Sequence, residues 1–360
     1  MILNVQHYPL VPNSTNPVMI TARLLDEHTN GIIAAVYWRV DASPANPFTA
    51  TPMSDDGLHG DGPAADGVYG AVIPPQANNA VVELYVQATD LEGNTRTWPA
   101  PALETNNVLV QAANALYQVD NTVSSGTNGQ PIFRMIMRDV DRAELATFPS
   151  ASPWSDCKFN LTVVSMDGVD SEVRYLCGVR DRGAGTRQRS PCNHEITFPD
   201  DQGWHRVNSI NLNTQYTESQ LMGYVLAMLG GLDTESARIV QVRVNNVNRA
   251  SSGSPQFGSY LQLERTDNNY VKNHWPGESG NIYRGQSWVH LCNLAYHDNP
   301  TNFLDYAIDG YSKQNNTIDN DWSDLINLCY ALSITNVSDD TYCQVLGIEY
   351  ICLDSISLKW

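Results

Sequence analysis

In the N-terminal part of the chain Ala80–Ala88 alternates clearly with a period of two, Val18–Leu25 and Ile33–Val40 alternate partly, and Val68–Ile73 is a further short run. Successive side chains of a strand point to opposite faces, so this alternation marks a strand with one face buried and the other wet. Gly, Pro, Asn and Asp separate the runs at regular intervals, and Asp90–Pro99 reads as a closing turn. Several short strands at such spacing predict a β-sandwich over residues 1–112. Residues 113–130, which include the polar stretch Ser124–Gly129, read as a linker.

From Pro131 the pattern changes. Ile132–Met137 reads as a strand, Asp139 opens a short helix that its carboxylate can cap, and Phe159–Val164 pairs with Val173–Arg180 around a turn at Met166–Asp170. Ser219–Leu229 has helical spacing, with Leu221, Val225, Met228 and Leu229 on one face and Gly230 and Gly231 as the stop. Ile239–Val244 and Ser259–Glu264 read as strands. Helical patterns follow at Phe303–Ile308, at Asp321–Leu332 and from Asp339. Strands first and helices last is an α+β arrangement, β-rich over about 131–285 and helical over about 300–360.

The formal charge of -18, from 39 acidic and 21 basic residues, excludes a nucleic-acid binder, which needs a basic surface to displace counterions. It favours solubility and cation binding. No run approaches the roughly 18 apolar residues of a membrane span, and Met1 is not followed by the basic segment and apolar core of a signal peptide. Scarce Lys with abundant Asn, Asp, Gly and Thr reads as a loop-rich, extracellular composition. None of the seven Cys precedes Cys157 and none has CxxC spacing, so they form either up to three disulfides or buried free thiols. The eight His have no local partners at motif spacing, and no Ser-His-Asp arrangement is supported.

The densest acidic stretch is Ser54–Gly70. Asp55, Asp56, Asp61 and Asp66 are interleaved with Gly57, Gly60, Gly62 and Gly67, which let the backbone fold the carboxylates together. A structural Ca²⁺ would take six to eight such oxygens. The alternative is a set of tight Asp-Gly turns, each satisfied locally.

Met53–Pro74 resembles an immunoglobulin-like module found in large secreted bacterial proteins, where it precedes a domain of the CotH type, named for the spore-coat kinase family. The second half is similar to that domain in four segments. Val179–Arg187 looks like the family's R-x-R-G-x-x-x-R turn. Ile210–Asn213 with its following helix, Val242–Asn246 through Gly258–Arg265 with its Y-x-x-x-E ending, and Gly280–Gly285 come next; Asp321–Leu325 also has a family look. The resemblance implies a kinase-like fold with a nucleotide cleft between two lobes, and ATP with Mg²⁺ as its ligands. Arg182, Gly183 and Arg187 would sit near the phosphates, and Glu264 would face the cleft from the link between lobes. The alternative is that Arg182 and Arg187 pair with local acids and Glu264 is structural. The chain departs from the family in two places. Arg189–Glu195 stands where the family has a Lys-rich run, and the family's Asp-x-Asp motif would lie beyond Trp360. No catalytic residue is therefore assigned, and Asp319, Asp321 and Asp324 fit a helix start.

Three functions are open on this reading. The first is a secreted, extracellular or cell-surface CotH-type kinase-like protein, inactive as this chain and ending before the catalytic part of the domain. The second is a self-associating fibre, sheath or adhesin protein that uses the fold as a building block, with the strand near Leu3–Tyr8 adding to a neighbour's sheet. The third is a carbohydrate-active or carbohydrate-binding protein, for which the eight Trp and seventeen Tyr supply stacking surfaces.

Overall fold

The computed structural model describes residues 1–28, 31–104, 107–122, 130–147, 157–167, 171–183, 190–249, 259–277, 279–285, 292–297 and 303–333. Its chain divides into two compact units, Met1–Arg265 and Thr266–Trp360.

The first unit begins with ten strands: β1 (Ile2–Tyr8), β2 (Val18–Leu24), β3 (Ile33–Val40), β4 (Thr49–Met53), β5 (Val68–Ile73), β6 (Val81–Thr89), β7 (Thr95–Trp98), β8 (Ala102–Leu103), β9 (Leu109–Val110) and β10 (Ala115–Gln118). One antiparallel sheet has the order β1-β2-β5 and a second the order β10-β6-β3-β4, with β7 beside β6. The alternation expected for β2 is observed: Val18, Ile20, Ala22 and Leu24 are buried while Met19, Thr21 and Arg23 point away from the core. Those residues join Val36, Ile73, Leu84, Val86 and Tyr117 in one apolar core between the sheets. The expected sandwich is therefore present.

The expected linker is not a linker along its first part. Ala115–Gln118 is a fully buried strand paired with β6. Ala115 and Tyr117 face the sandwich core, whereas Leu116 faces the other way and packs with Val81, Ile136 and Val164. An apolar side chain on each face needs a partner on each face, and burying Leu116 alone contributes roughly 1.5–3 kcal/mol. Residues 123–129 lie outside the described part.

The partner on that second face is a larger sheet built from β11 (Ile132–Ile136), β12 (Phe159–Met166), β13 (Ser171–Asp181), β14 (His194–Thr197), β15 (Ser209–Asn213), β16 (Ala237–Val244), β17 (Val247–Asn248) and β18 (Tyr260–Glu264). The order is β11-β12-β13-β14-β15-β18-β16, and β16 pairs in parallel with β11, so seven strands close into a barrel-like ring. Closure leaves no free edge among those seven. β17 extends β16 as a hairpin whose turn residues Asn245 and Asn246 have φ of 46° and 68°, the left-handed geometry that a two-residue hairpin turn requires. Helices α1 (Asp139–Thr147) and α2 (Thr217–Leu229) complete this part.

A bulge ties the barrel to the sandwich. Between Leu161 and Val163 of β12, β13 advances by one extra residue, and Leu176 takes a φ of 56°. Cys177 and Val179 beyond the bulge point into the barrel core, while Val173 and Tyr175 before it pack on the sandwich. Tyr175 there bonds the ring of His7, and Arg134 of β11 forms a buried ion pair with Asp120 at 2.8 Å. The amide of Leu116 donates to Thr162 Oγ1 at 3.0 Å.

The second unit contains α3 (Asn268–His274), β19 (Tyr283–Gly285), α4 (Phe303–Ile308), β20 (Tyr311–Lys313) and α5 (Ser323–Ser333). Tyr306, Trp322, Leu325, Ile326 and Cys329 form its core. Asp267 caps α3 by accepting from the amide of Asn269 at 2.8 Å, and Asp321 accepts from the amide of Ser323 at 2.9 Å, which is the helix-start role expected of it. The described fold is mostly β, with the four helices expected among the described residues and one more, α3; the helical pattern from Asp339 lies outside the described residues. No helix among the described residues is long and apolar enough to cross a membrane.

Candidate functional site

The strand ends around the Arg-Gly turn decide where each polar side chain points. Arg180 of β13 lies opposite Glu195 of β14, which lies opposite Asn211 of β15. Partners across an antiparallel ladder share a face, so these three stand together on the outside of the barrel. Arg180 Nη2 donates to Glu195 Oε2 at 2.7 Å, and Arg265 donates to the other oxygen at 3.4 Å. Arg182 follows on the same face. Its Nη1 donates to Asn213 Oδ1 at 2.6 Å and its amide to the carbonyl of Asn193 at 2.9 Å. Asn213 in turn donates to Gln220 of α2 at 3.0 Å. Asn193 Oδ1 accepts from the amide of Thr214 at 2.7 Å, which fixes the base of the hairpin. Burial raises the pKa of Tyr224 on α2, with the charge of Glu235 adding and that of Arg182 opposing. Gly183 has a φ of 99°, a conformation that favours glycine.

Glu264 stands elsewhere. It lies opposite Ile210 in the row that runs through Val179 and Ile196, whose side chains fill the barrel core. Its Oε2 accepts from the amide of Ser236 at 3.3 Å, and its own amide donates to the Ser236 carbonyl at 3.0 Å. Arg182 and Glu264, grouped by the sequence reading at one nucleotide cleft, are therefore on opposite faces of the sheet. Arg187 lies outside the described residues.

The Asp-Gly loop joins β4 to β5. Asp61, 2% exposed, accepts from the amides of Asp56 and Gly57 through Oδ2 (2.8 and 2.9 Å) and from that of His59 through Oδ1 (2.9 Å). Burial pushes its pKa upward, but these N–H donors outweigh burial and hold it below the ordinary carboxylate range. Asp55 accepts from the amides of Gly67 and Asp66, and Asp66 from that of Val68. Asp56 bonds the His59 ring at 2.9 Å and the amide of Leu58, and both lower its pKa. Gly70 admits the loop's close approach, since a Cβ there would meet the His59 carbonyl at 2.6 Å. Of the four expected metal ligands, the structure brings Asp56 and Asp61 together with His59, their ligand atoms within 4.8 Å of one another, and turns Asp55 and Asp66 to backbone donors. The donors support the locally satisfied turns. A second group, Asp26, Asp90 and Glu92, converges from the β2–β3 and β6–β7 connections. Its members are far apart in sequence, so no local motif signals it.

Inside the end of the barrel, His194 Nδ1 lies 2.8 Å from Asp181 Oδ1 and its ring stacks on Tyr260. Cys192 bonds Asp181; burial and the adjacent carboxylate push its thiol up to about 12, and burial does the same to Cys177. A thiol held protonated is a poor nucleophile, so this Cys, His and Asp set is not a triad. Cys177 and Cys329 are buried free thiols, which is the second of the two alternatives for these two residues; Cys343 and Cys352 lie outside the described part.

Residues 179–350 match the family described as CotH kinase protein. Two similar solved structures come from Listeria monocytogenes. One is the uncharacterized protein lmo2446 in complex with α-D-glucose, β-D-glucose, magnesium and calcium, at 9% identity and a TM-score of 0.22, covering 58% of this chain and 17% of that chain. The other is the cycloalternan-forming enzyme in complex with a pentasaccharide substrate, at 9% identity and a TM-score of 0.23, covering 58% of this chain and 20% of that one. The chain thus spans a fifth or less of those proteins, and similarity at that level carries neither fold nor chemistry across. No curated protein matches.

Proposed function

We propose that the CotH-type domain of this chain is a kinase-like scaffold that does not transfer phosphate, in an extracellular modular protein whose N-terminal sandwich is the immunoglobulin-like module. The observation that carries this reading is the contact between β15 and α2. In protein kinases a strand lysine paired with a helix glutamate holds the phosphates. Here the strand residue meeting the helix is Asn213 and its partner is Gln220, a neutral pair. None of the four lysines (Lys158, Lys272, Lys313 and Lys359) falls on β13 through β18. Arg182 is engaged by Asn213, and Glu264 binds the backbone of Ser236 on the opposite face. These residues do not fit a triphosphate, and no phosphoryl-transfer step is derived from them.

The match of residues 179–350 to a kinase family favours a second reading, in which the domain still binds nucleotide. Calorimetric titration of the full chain with Mg-ATP separates the two. The scaffold reading expects no binding in the range where kinases bind ATP, together with self-association in light scattering. Saturable Mg-ATP binding that Arg182→Ala abolishes would overturn it.

A further inference from the structure

Helix α2 carries apolar side chains on the side where a surface helix carries charge. Thr217, Gln220, Leu221, Tyr224 and Val225, spaced by three and four residues, are buried or half-buried where the helix lies on β16 and β18. The opposite side consists of Glu218, Ser219, Met222, Gly223, Leu226 and Leu229, all exposed. Met222, Leu226 and Leu229 form a stripe along it, and Met228 and Leu232 extend the patch at the C-terminal end. These five side chains are 58% to 75% exposed. A Cβ at Gly223 would meet nothing within 4 Å, so that flank of the stripe is open. Helix α1 shows the ordinary pattern, with Asp139, Arg142 and Glu144 on its exposed side. A helix that is apolar all round is normally covered on all sides.

The patch has the size of an interface. At on the order of 100 Å² each, the five side chains present about 500 Å² of apolar surface, in the upper part of the roughly 300–600 Å² that the largest patch of a monomeric protein reaches. With its rim it approaches the about 800 Å² that each partner of a standard interface buries. Charge selects the partner. The chain carries a formal charge of -18, so two copies repel except where charge is absent. From Thr217 to Leu232 the only charged side chain is Glu218, in the first turn. The patch therefore offers nothing to a charged partner and suits an identical patch.

We propose that α2 is a dimerisation surface whose partner is α2 of a second copy of this chain. The proposal rests on the scaffold reading, in which copies associate, and names the surface that does it. The stripe is spaced by four residues and then three, the spacing of a coiled-coil seam. An antiparallel crossing about a twofold axis at Leu226 sets Leu226 against itself and Met222 of one copy against Leu229 of the other. It also keeps the two Glu218 carboxylates at opposite ends and opposes the helix dipoles.

The test is sedimentation velocity of the full chain over about 1–100 µM, which brackets the affinity of a modest interface. The wild type is expected to form a dimer. Leu226→Glu sets two carboxylates against each other across the axis and should weaken the dimer at least about tenfold with Tm unchanged, because Leu226 is exposed in the single chain. Ile33→Glu, at a residue equally exposed on β3, should leave the dimer as it is. Met222→Lys combined with Leu229→Glu should keep more of the dimer than either change alone, since the antiparallel pairing brings the two charges together. A wild type that stays monomeric, or a dimer indifferent to Leu226→Glu, would overturn the proposal. So would a monomer whose Tm falls on Leu226→Glu, which would mean that the same chain covers its own helix. Association that persists in Leu226→Glu defeats only this surface, whereas saturable Mg-ATP binding by a chain that dimerises through α2 defeats only the scaffold reading.

Discussion

Acid should loosen the junction between sandwich and barrel through one side chain, His7. It is buried, stacked on Tyr117 at 5.3 Å, and hydrogen-bonded at both ring nitrogens. Nε2 donates to the carbonyl of Leu10 at 3.0 Å, so Nδ1 is the acceptor and the Tyr175 hydroxyl donates to it. The ring is therefore neutral, and burial holds its pKa at about 4 against an ordinary 6.5, with the Leu10 bond opposing. Glu172 and Arg174, already paired with each other, line the adjoining cleft. A folded-state pKa below the unfolded one means that the unfolded chain takes up the proton first as pH falls. The stabilisation is complete above about pH 6.5, declines as pH falls, and is gone near pH 4. The difference of 2.5 is worth about 3 kcal/mol in all, of which about 2 kcal/mol is lost by pH 5. Urea unfolding of the wild type and of His7→Gln at pH 7, 5 and 4 isolates this group, because the other titrating residues are common to both. The wild-type advantage should shrink by about 2 kcal/mol between pH 7 and pH 5. Parallel decline of the two proteins, or a His7 imidazole that titrates near 6.5 by NMR, would refute the reasoning.

Other outcomes follow from the same structure. Asp120→Ala leaves Arg134 buried without its carboxylate and should cost about 3–5 kcal/mol in chemical denaturation, whereas the double change Asp120→Leu with Arg134→Met should restore much of it. Asp61→Ala strips three amides of their acceptor and should cost at least about 2 kcal/mol. If the local turns suffice, EGTA leaves Tm unchanged, and a fall of several degrees would instead favour bound calcium in that loop. In native thiol labelling, buried Cys177, whose thiol burial keeps protonated, should stay unreacted until the protein unfolds; its labelling in the native state would contradict the described packing.

Much of the fold was legible where one face of an element is wet. β2, β3, β5 and β6 fall within a residue or so of the runs read as strands, and α2 ends at Gly230 and Gly231 as its sequence implies. β10 was not legible, because four residues buried on both faces show no alternation, and polar neighbours made the segment read as linker. Ring closure was not legible either. It depends on β11 pairing with β16 about a hundred residues later, and on a one-residue bulge in β13 that no local pattern marks.

The sequence reading puts Arg182 and Glu264 at one site, and β18 decides against that grouping. All five residues from Tyr260 to Glu264 are buried. Leu261 and Leu263 lie on the face shared with Asn213 and Asn211, while Tyr260 packs in the barrel core and Gln262 and Glu264 are on its side of the strand. A strand buried on both faces has no polarity signal, so its terminal glutamate can be assigned to either side until a partner fixes the register. Pairing with β15 makes that choice by setting Glu264 against Ile210. A shift of one residue would place it with Arg180, Arg182 and Glu195 on the outer face. What separates a carboxylate beside the Arg-Gly turn from one that closes the barrel against Ser236 is therefore a single step of register. The physical content of that step is burial of Ile210, Ile196 and Val179 in one core, a preference spread over four strands rather than written in any one of them.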